Sequence, residues 1–501
     1  MNSSLHSNQT IEQWMWEHAT FWRPLLVILA VFGVCITGPF VLPSRLLMLL
    51  PALPIGAATL LLLLRMPLWG LVALVPTIIV PLDGPSGVNA TMGLTALLLG
   101  LGIFKLLTET RHFEIMQSPT VMPLVIFTLV QLLSFLVGQL PWYSLAPHAP
   151  LGAQLGSLTL YILSFGLFLY AANQINDVVW LKRLTFLYIG VAFLYVFKWV
   201  LPPWGPVADA LFTRGAFGSL LWMWLVILSF SQAVYNRDLP LSWRLGLGGV
   251  LLATLYVCVL KLWDWNSGWM PACVAIGVIL LASVPRLGIF ASALAVIGII
   301  YKMQDVFQSM MGGDNAYSLS TRLEAWGIVW KISTPNLVLG LGPANYYWYT
   351  PLFPIRGWSV SFNSHSQYID LIAQSGFLGL FCFIWFFGVL GILAWRLRGR
   401  VHDGFSYAFT LGAIGGVAGT FTSAALGDWV LPFFYNIGMT GFRTSMLSWL
   451  FLGGFVALHR MTVQSEKQKL ADARPIGPVA ALPAAQPAPA GQTSGQVTQT
   501  K

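Results

Sequence analysis

Apolar runs broken by short polar turns recur along this chain from residue 24 to residue 458. A run of about 20 mostly apolar residues can cross a bilayer, and on that measure the chain holds about fourteen candidate spans. They are 24–42, 46–64, 67–83, 91–108, 120–139, 157–173, 181–201, 215–235, 245–263, 269–285, 287–302, 376–396, 405–425 and 440–458. The stretches 46–83 and 269–302 each divide at a charge beside a proline, Arg65-Met66-Pro67 and Pro285-Arg286. Such a pair ends a span at low cost at the interface. Because these pairs are so closely spaced, the predicted bundle has about 14 transmembrane helices, with a range of roughly 11–14.

One stretch breaks the rhythm. Residues 303–375 carry glycine turns, aromatic residues and a single histidine between two apolar runs. Their backbone polar groups would go unsatisfied in lipid, so the segment lies in water or lines a cavity. The predicted organisation is a membrane domain over 1–464, with the loop 303–375, followed by a tail over 465–501. That tail is rich in Pro, Ala, Gln and Gly and holds too few bulky residues to fold, which predicts disorder.

Composition supports the membrane reading: 57% of residues are hydrophobic and 9% charged, where a soluble domain carries roughly 25% charged residues. The net charge of +9 does not indicate nucleic-acid binding, because the basic residues are scattered singly and form no patch. All four cysteines (Cys35, Cys258, Cys273, Cys382) fall in apolar runs and read as packing residues. The first 20 residues contain Glu12, Glu17 and two tryptophans, a pattern unlike a cleavable signal peptide.

Lys and Arg placement gives an orientation. With the N-terminus cytoplasmic and fourteen spans, the cluster Arg396, Arg398 and Arg400 lies inside and anchors the arrangement. The loop 303–375 then lies outside, and both termini are cytoplasmic. Against that bias, Arg214, Arg322, Arg356 and Arg443 fall on the outer side. Arg214 sits among glycines at the start of a span, where it either snorkels to headgroups or holds an anion such as a diphosphate. Arg322 lies near the start of a predicted amphipathic helix on the membrane face, with Ser320 or Thr321 as its N-cap. It either pairs with Glu324 or Asp314 or supplies a second anion ligand.

His365 is the one histidine of seven in this loop, at the head of a predicted helix that runs to Gly376. It is either a hydrogen-bonded structural residue or a general base. Asp370, five residues on, falls off its helical face and reads as a packing residue. Asp428, in an outer loop, is a candidate substrate contact. No HExxH, no cysteine pair and no DxD-like carboxylate pair accompanies them, so neither a metal nor another cofactor is predicted.

Four motifs in sequence order carry a resemblance: Arg214-Gly-Ala-Phe-Gly218; Ser320-Thr321-Arg322 with Trp326; Pro335 followed by Gly340, Gly342 and Pro343; and His365 with Tyr368-Ile369 leading to Gly376 and Gly379. Together with the topology, they resemble the bacterial O-antigen ligase and O-antigen polymerase family over residues 214–219 and 318–380. The resemblance implies a GT-C-like membrane glycosyltransferase in the bacterial inner membrane, with its large loop periplasmic. It implies a polyprenyl (undecaprenyl) diphosphate-linked glycan donor, a glycan, lipid or protein acceptor, His365 as catalytic residue, and Arg214 and Arg322 on the diphosphate. Trp326 and Tyr368 fall in the same motifs as candidate substrate contacts. The chain departs from the family pattern at Ser366, where Asn is usual, and at Gln374-Ser375, where an acid often stands. It also lacks an arginine in Asn266-Ser267-Gly268.

Such chemistry suits these residue types. A sugar diphosphate is a good leaving group that needs stabilising charge more than a proton, and fixed arginine forks supply that charge without a metal. The incoming hydroxyl must lose a proton, which a neutral imidazole accepts near pH 7. The expected reaction is thus inverting and metal-independent. The tyrosines and tryptophans Tyr346, Tyr347, Trp348, Tyr349 and Trp358 either stack on sugars or form an interfacial belt. The rival reading is a transporter or flippase for an anionic lipid or solute. Against it, ionisable residues gather at span ends and the two halves do not read as repeats.

Overall fold

The computed structural model describes residues 52–80, 83–84, 87–109, 116–212, 218–301, 313–402 and 404–472. Among these residues the protein is helical, with two isolated β-bridges, Asp83 to Asn89 and Ile355 to Trp358, and no sheet. In chain order the helices are α1 (Ala52–Arg65), α2 (Pro67–Leu74), α3 (Ala90–Glu109), α4 (Val121–Val137), α5 (Leu151–Gln174), α6 (Val178–Val200), α7 (Gly205–Phe212) and α8 (Ser219–Tyr235). There follow α9 (Leu241–Leu255), α10 (Asn266–Ser283), α11 (Pro285–Tyr301), α12 (Gly313–Ser333), α13 (Tyr346–Tyr349), α14 (Gln367–Arg398), α15 (Gly404–Leu426) and α16 (Phe442–Asp472). An all-α membrane protein is what the apolar pattern predicted.

The chain divides into two compact units, Met1–Arg460 and Met461–Lys501. The helical part of the second unit ends at Asp472, so residues 465–472, predicted as the start of the tail, are helical. The rest of the tail, and the candidate span 24–42, lie outside the described residues.

By length and composition, eight helices among the described residues can cross a membrane, or nine if one bent pair counts as a span. That pair, Gly56–Arg65 with Pro67–Ile79, is bent by 113°. It occupies the place of the two separate spans predicted at 46–64 and 67–83. Pro67 offers no N–H to the preceding turn and pushes Met66 out of helical geometry, to φ −131° and ψ 65°. Two further apolar helices, α4 and α8, have 17 residues each. Nearly all of α8 is buried, as expected of a helix that is apolar all round.

Small residues set the spacing of the bundle's centre. On α15, a side chain at Gly415 would overlap Ile279 of α10, and one at Gly416 or Gly419 would overlap Trp224 or Met223 of α8. These glycines let three helices pack at close range, where dispersion and not water exclusion holds membrane helices together.

Two features bring the loop back onto the bundle. First, α14 is broken at Gly376 (φ 69°, ψ −171°), and the turn around Gly340 supplies the partners the break leaves orphaned. Leu341 N–H and Gly342 N–H donate to the Ala373 and Gln374 carbonyls at 2.8 and 3.1 Å, and Phe377 N–H donates to the Leu337 carbonyl at 2.8 Å. Second, α12 presents Ala325, Ile328, Val329 and Ile332 to Leu341, Tyr346, Tyr349 and Phe433. The apolar face of this helix therefore covers the loop's own core and not a membrane surface. Ser320 and Thr321 lie inside α12, which already begins at Gly313, so neither is the predicted N-cap.

Candidate active site

His365 stands in a bend just before α14, between two buried serines, Ser364 and Ser366, and is itself exposed. Its own φ is 51°, in the left-handed region that few residues other than glycine enter. The strained position is held by its neighbours. Asn363 Oδ1 accepts the His365 N–H at 3.1 Å, the Tyr346 hydroxyl accepts the Ser364 N–H at 3.3 Å, and Ser364 Oγ accepts the Ser366 N–H at 3.0 Å.

Beneath this turn lies Asp370, fully buried on the first turns of α14. It accepts hydrogen bonds from the Tyr346 hydroxyl at 2.5 Å and from Ser364 Oγ at 2.7 Å. As its helical position predicted, it packs beneath the turn and does not join His365.

α12 brings Arg322 to the same place. Trp326, one turn further along this helix, donates its indole N–H to the Ser364 carbonyl at 2.8 Å, which ties α12 to the His365 turn. Arg322 has no ion pair among the described residues. Of its two predicted local partners, Glu324 instead holds Arg356, with Nε to Oε2 at 3.0 Å and the backbone N–H to Oε1 at 3.1 Å, and the Asp314 side chain lies outside the described residues. Partial burial lowers the Arg322 pKa, though a guanidinium so placed remains charged near neutral pH. Desolvation first, and the Arg322 charge second, lower the pKa of His365 from its ordinary value. The ring is therefore neutral at pH 7.

A second loop, between α15 and α16, reaches His365 from the far side. Asp428 is fully buried and organises this loop: Oδ2 accepts the Phe433 N–H at 2.7 Å, and Oδ1 accepts from Asn436 Nδ2 at 2.5 Å. The same Asn436 amide nitrogen lies 3.5 Å from His365 Nδ1. Burial pushes the Asp428 carboxyl up to about 6, against the lowering effect of these bonds. Asp428, predicted as a substrate contact, is thus joined to His365 by way of the Asn436 amide. Asn436 is not among the residues the sequence singles out; its only signal is that, eight residues after Asp428, it closes the largely apolar run Trp429–Tyr435.

The other predicted residues fall differently. Arg214 lies outside the described residues. Tyr368 commits its hydroxyl to the Phe421 carbonyl on α15 at 2.8 Å. Of the aromatic residues, Tyr346 and Tyr349 are buried in the loop core, and Tyr347 stacks on Tyr435 at 4.4 Å. Trp348 donates to the Tyr435 hydroxyl at 2.8 Å. Trp358 differs: it is 71% exposed beside a two-residue turn through Arg356 and Gly357, paired across it with Ile355. Among the described residues no group of three His, Cys, Asp or Glu is gathered as metal ligands.

Residues 211–384 match a family model described as O-antigen ligase. This segment belongs to the O-antigen ligase family. That is a membrane glycosyltransferase-type enzyme family, and the match indicates glycan transfer of the O-antigen ligase or polymerase type. No curated protein matches the chain. The O-antigen ligase segment contains Arg214, Arg322, Trp326, His365 and Tyr368 and ends within α14. Asp428 and Asn436 lie beyond it, so the loop that abuts His365 comes from outside the matched segment.

Proposed function

We propose that the protein transfers a glycan from a polyprenyl diphosphate carrier to an acceptor hydroxyl at the outer face of a bacterial inner membrane, with inversion at the anomeric carbon. The observation that carries this reading is the Trp326 indole bond to the Ser364 carbonyl, which ties the helix carrying Arg322, a guanidinium with no ion pair among the described residues, to the turn carrying His365. The acceptor oxygen attacks the anomeric carbon as the bond to the diphosphate oxygen breaks. The hydroxyl proton passes to His365, and the electron pair leaves with the diphosphate. Arg322 stabilises the departing charge, and Arg214 shares that role in this reading. One such preorganised donor is typically worth about 2.7–4 kcal/mol. Nothing in this scheme needs a metal ion.

The lowered His365 pKa keeps the ring ready to accept a proton at neutral pH. Its tautomer follows from the loop behind it. The Asn436 amide turns its NH2 toward the Asp428 carboxylate, so a second N–H faces His365 Nδ1 and favours the proton on Nε2. To act as a base through Nε2, the ring must adopt the other tautomer. At 3.5 Å that contact is loose, and giving it up costs less than about 1 kcal/mol. Trp358, exposed beside its turn, offers a flat apolar face on which an acceptor sugar can stack. The membrane domain over 1–464 and a cytoplasmic tail over 465–501, with both termini inside, complete the reading.

His365→Asn is the cleanest test, because Asn tolerates a positive φ and preserves the turn. The variant protein should insert and accumulate normally yet form no long-chain glycan or glycan-acceptor product from carrier-linked donor. Normal product from that variant would end the proposal. Transport of an anionic lipid or solute in vesicles lacking any glycan acceptor would favour the transporter reading instead.

A further inference from the structure

At the far end of α14 from His365 lies a cavity of about 400 Å³ whose lining includes Ser283, Pro285, Arg398, His402 and Tyr407. From the break at Gly376 to Arg398, α14 runs about 33 Å at 1.5 Å per residue, close to the thickness of a bilayer's hydrocarbon core. The cavity therefore opens at the opposite membrane face from His365. Trp395, 53% exposed, marks that level as an interfacial tryptophan would.

The chemistry of the lining is one-sided. Arg398 and His402 contribute donors, Tyr407 adds a hydroxyl, and no lining residue is a carboxylate. Around the lining, Arg286 follows Pro285 and Arg396 precedes Arg398 by two positions, while Asp403 follows His402 and the Asp238 carboxylate accepts the Phe405 N–H. The Arg398 guanidinium is held on two sides: it stacks over the Trp395 ring at 4.0 Å, and Nη1 donates to the Ala282 carbonyl at the end of α10. Among the described residues its other N–H groups have no partner. A fork fixed by stacking and by one carbonyl has already lost its rotamer freedom, so further hydrogen bonds cost little entropy. A planar fork with spare donors matches the oxygens of a phosphate. The bland role, a side chain capping the C-terminus of α10, accounts for one N–H and leaves both the cavity and the remaining donors unexplained.

We propose that this cavity binds a phosphate oxyanion, carried either by the headgroup of an anionic phospholipid or free in water, with Arg398 as its principal ligand and His402 as a second. The site stands apart from His365 and does not depend on the glycan-transfer reading. The test uses the full chain purified in neutral detergent and stripped of lipid, with the thermal unfolding midpoint as readout. Phosphatidylglycerol, phosphatidylcholine and inorganic phosphate are the probes.

Wild-type protein should gain stability with phosphatidylglycerol or with inorganic phosphate, and much less with zwitterionic phosphatidylcholine. Arg398→Lys keeps the charge and a donor for the Ala282 carbonyl but loses the fork, and should weaken the apparent affinity about tenfold. His402→Gln, at an exposed position, should weaken it by a smaller factor. Competition by inorganic phosphate assigns the ligand to free anion, whereas stabilisation by lipid that phosphate does not displace assigns it to a headgroup. The site is overturned if neither probe shifts the midpoint, or if both variants respond as wild type does.

Discussion

The indole of Trp326 donates to the carbonyl of Ser364, the residue immediately before His365. This one bond joins the helix that carries Arg322 to the turn that carries the imidazole, so it sets the distance between the two groups the proposed reaction uses. Trp326→Phe keeps an aromatic ring, smaller than the indole, and removes the tether. A misplacement on the order of 1 Å can cost roughly 100-fold in rate, and loss of one buried hydrogen bond costs about 1 kcal/mol of stability. Glycan transfer by the variant should fall at least tenfold while membrane-inserted protein stays near wild-type level. Unchanged activity would show that the tether does not govern the site.

The pH dependence of transfer follows from the same pair. His365 must be neutral to accept a proton, so activity should fall as pH drops through its lowered pKa, below the ordinary histidine range. Removing the Arg322 charge removes one of the two causes of that lowering. In Arg322→Gln the imidazolium is less disfavoured, the pKa rises, and the acidic limb of the pH–rate profile should move toward neutral pH. The residual rate at its plateau should be lower by about 100-fold or more, for the loss of a donor aimed at developing charge. A limb that stays in place would mean that Arg322 does not act on His365 in the working enzyme.

The bundle was legible in the sequence because apolar runs report directly on the solvent each segment needs. Thus α3, α5, α6, α10, α15 and most of α14 fall within a few residues of their predicted spans. The helix–break–helix at Pro67, predicted as two spans, is a pair bent by 113°, and hydropathy carries no information on bend angle. The site was half legible. His365 and Arg322 stood out as rare polar residues in a loop, but the partner loop holding Asn436 did not, because a contact across 71 residues leaves no periodic trace. Trp326 reads from the sequence as a candidate substrate contact, and Tyr346 as either a sugar-stacking or an interfacial-belt residue. Their polar atoms are instead committed to Ser364 and Asp370, and only tertiary structure assigns such partners.

Asp428 should make the protein's stability depend on pH in a definite direction. Its folded pKa of about 6 lies above the unfolded carboxylate value of about 3.9. The folded state therefore holds this proton more tightly. The resulting stabilisation is fully present below about pH 3.9 and is lost as pH rises through about 6, with no further change above that. Asp428→Asn cannot ionise, so this part of the pH dependence should vanish. The amide keeps one acceptor oxygen for the Phe433 N–H or for Asn436, not both; the exposed Asn436 can turn to water, whereas a buried Phe433 N–H left unsatisfied costs about 1–3 kcal/mol. Thermal unfolding in detergent from pH 4 to 8 should show a lower midpoint for the variant at neutral pH and a flatter profile between about pH 4 and 6. An unchanged slope would mean that another group accounts for it.

The break in α14 makes the sharpest structural prediction. Gly376 adopts φ 69° and ψ −171°, a region essentially closed to residues with a side chain, and a Cβ there would overlap the Val338 carbonyl. The neighbour cannot yield, because Val338 and Leu337 carbonyls accept the N–H groups of Leu378 and Phe377 at 3.2 and 2.8 Å. Gly376→Ala should therefore destabilise the protein by roughly 2–6 kcal/mol, combining backbone strain with overpacking. It should also loosen the turn around Gly340 and, through α14, the His365 segment it leads to. Gly379→Ala provides the comparison. It lies one turn further on within regular helix, where the added methyl would crowd both the Cβ and the Oγ of Ser375, so it carries overpacking without the backbone strain. Thermal unfolding of the two purified variants decides the matter: a large loss confined to Gly376→Ala supports the break as a built feature, and equal losses would show that crowding of α14, not backbone conformation, is what glycine relieves there.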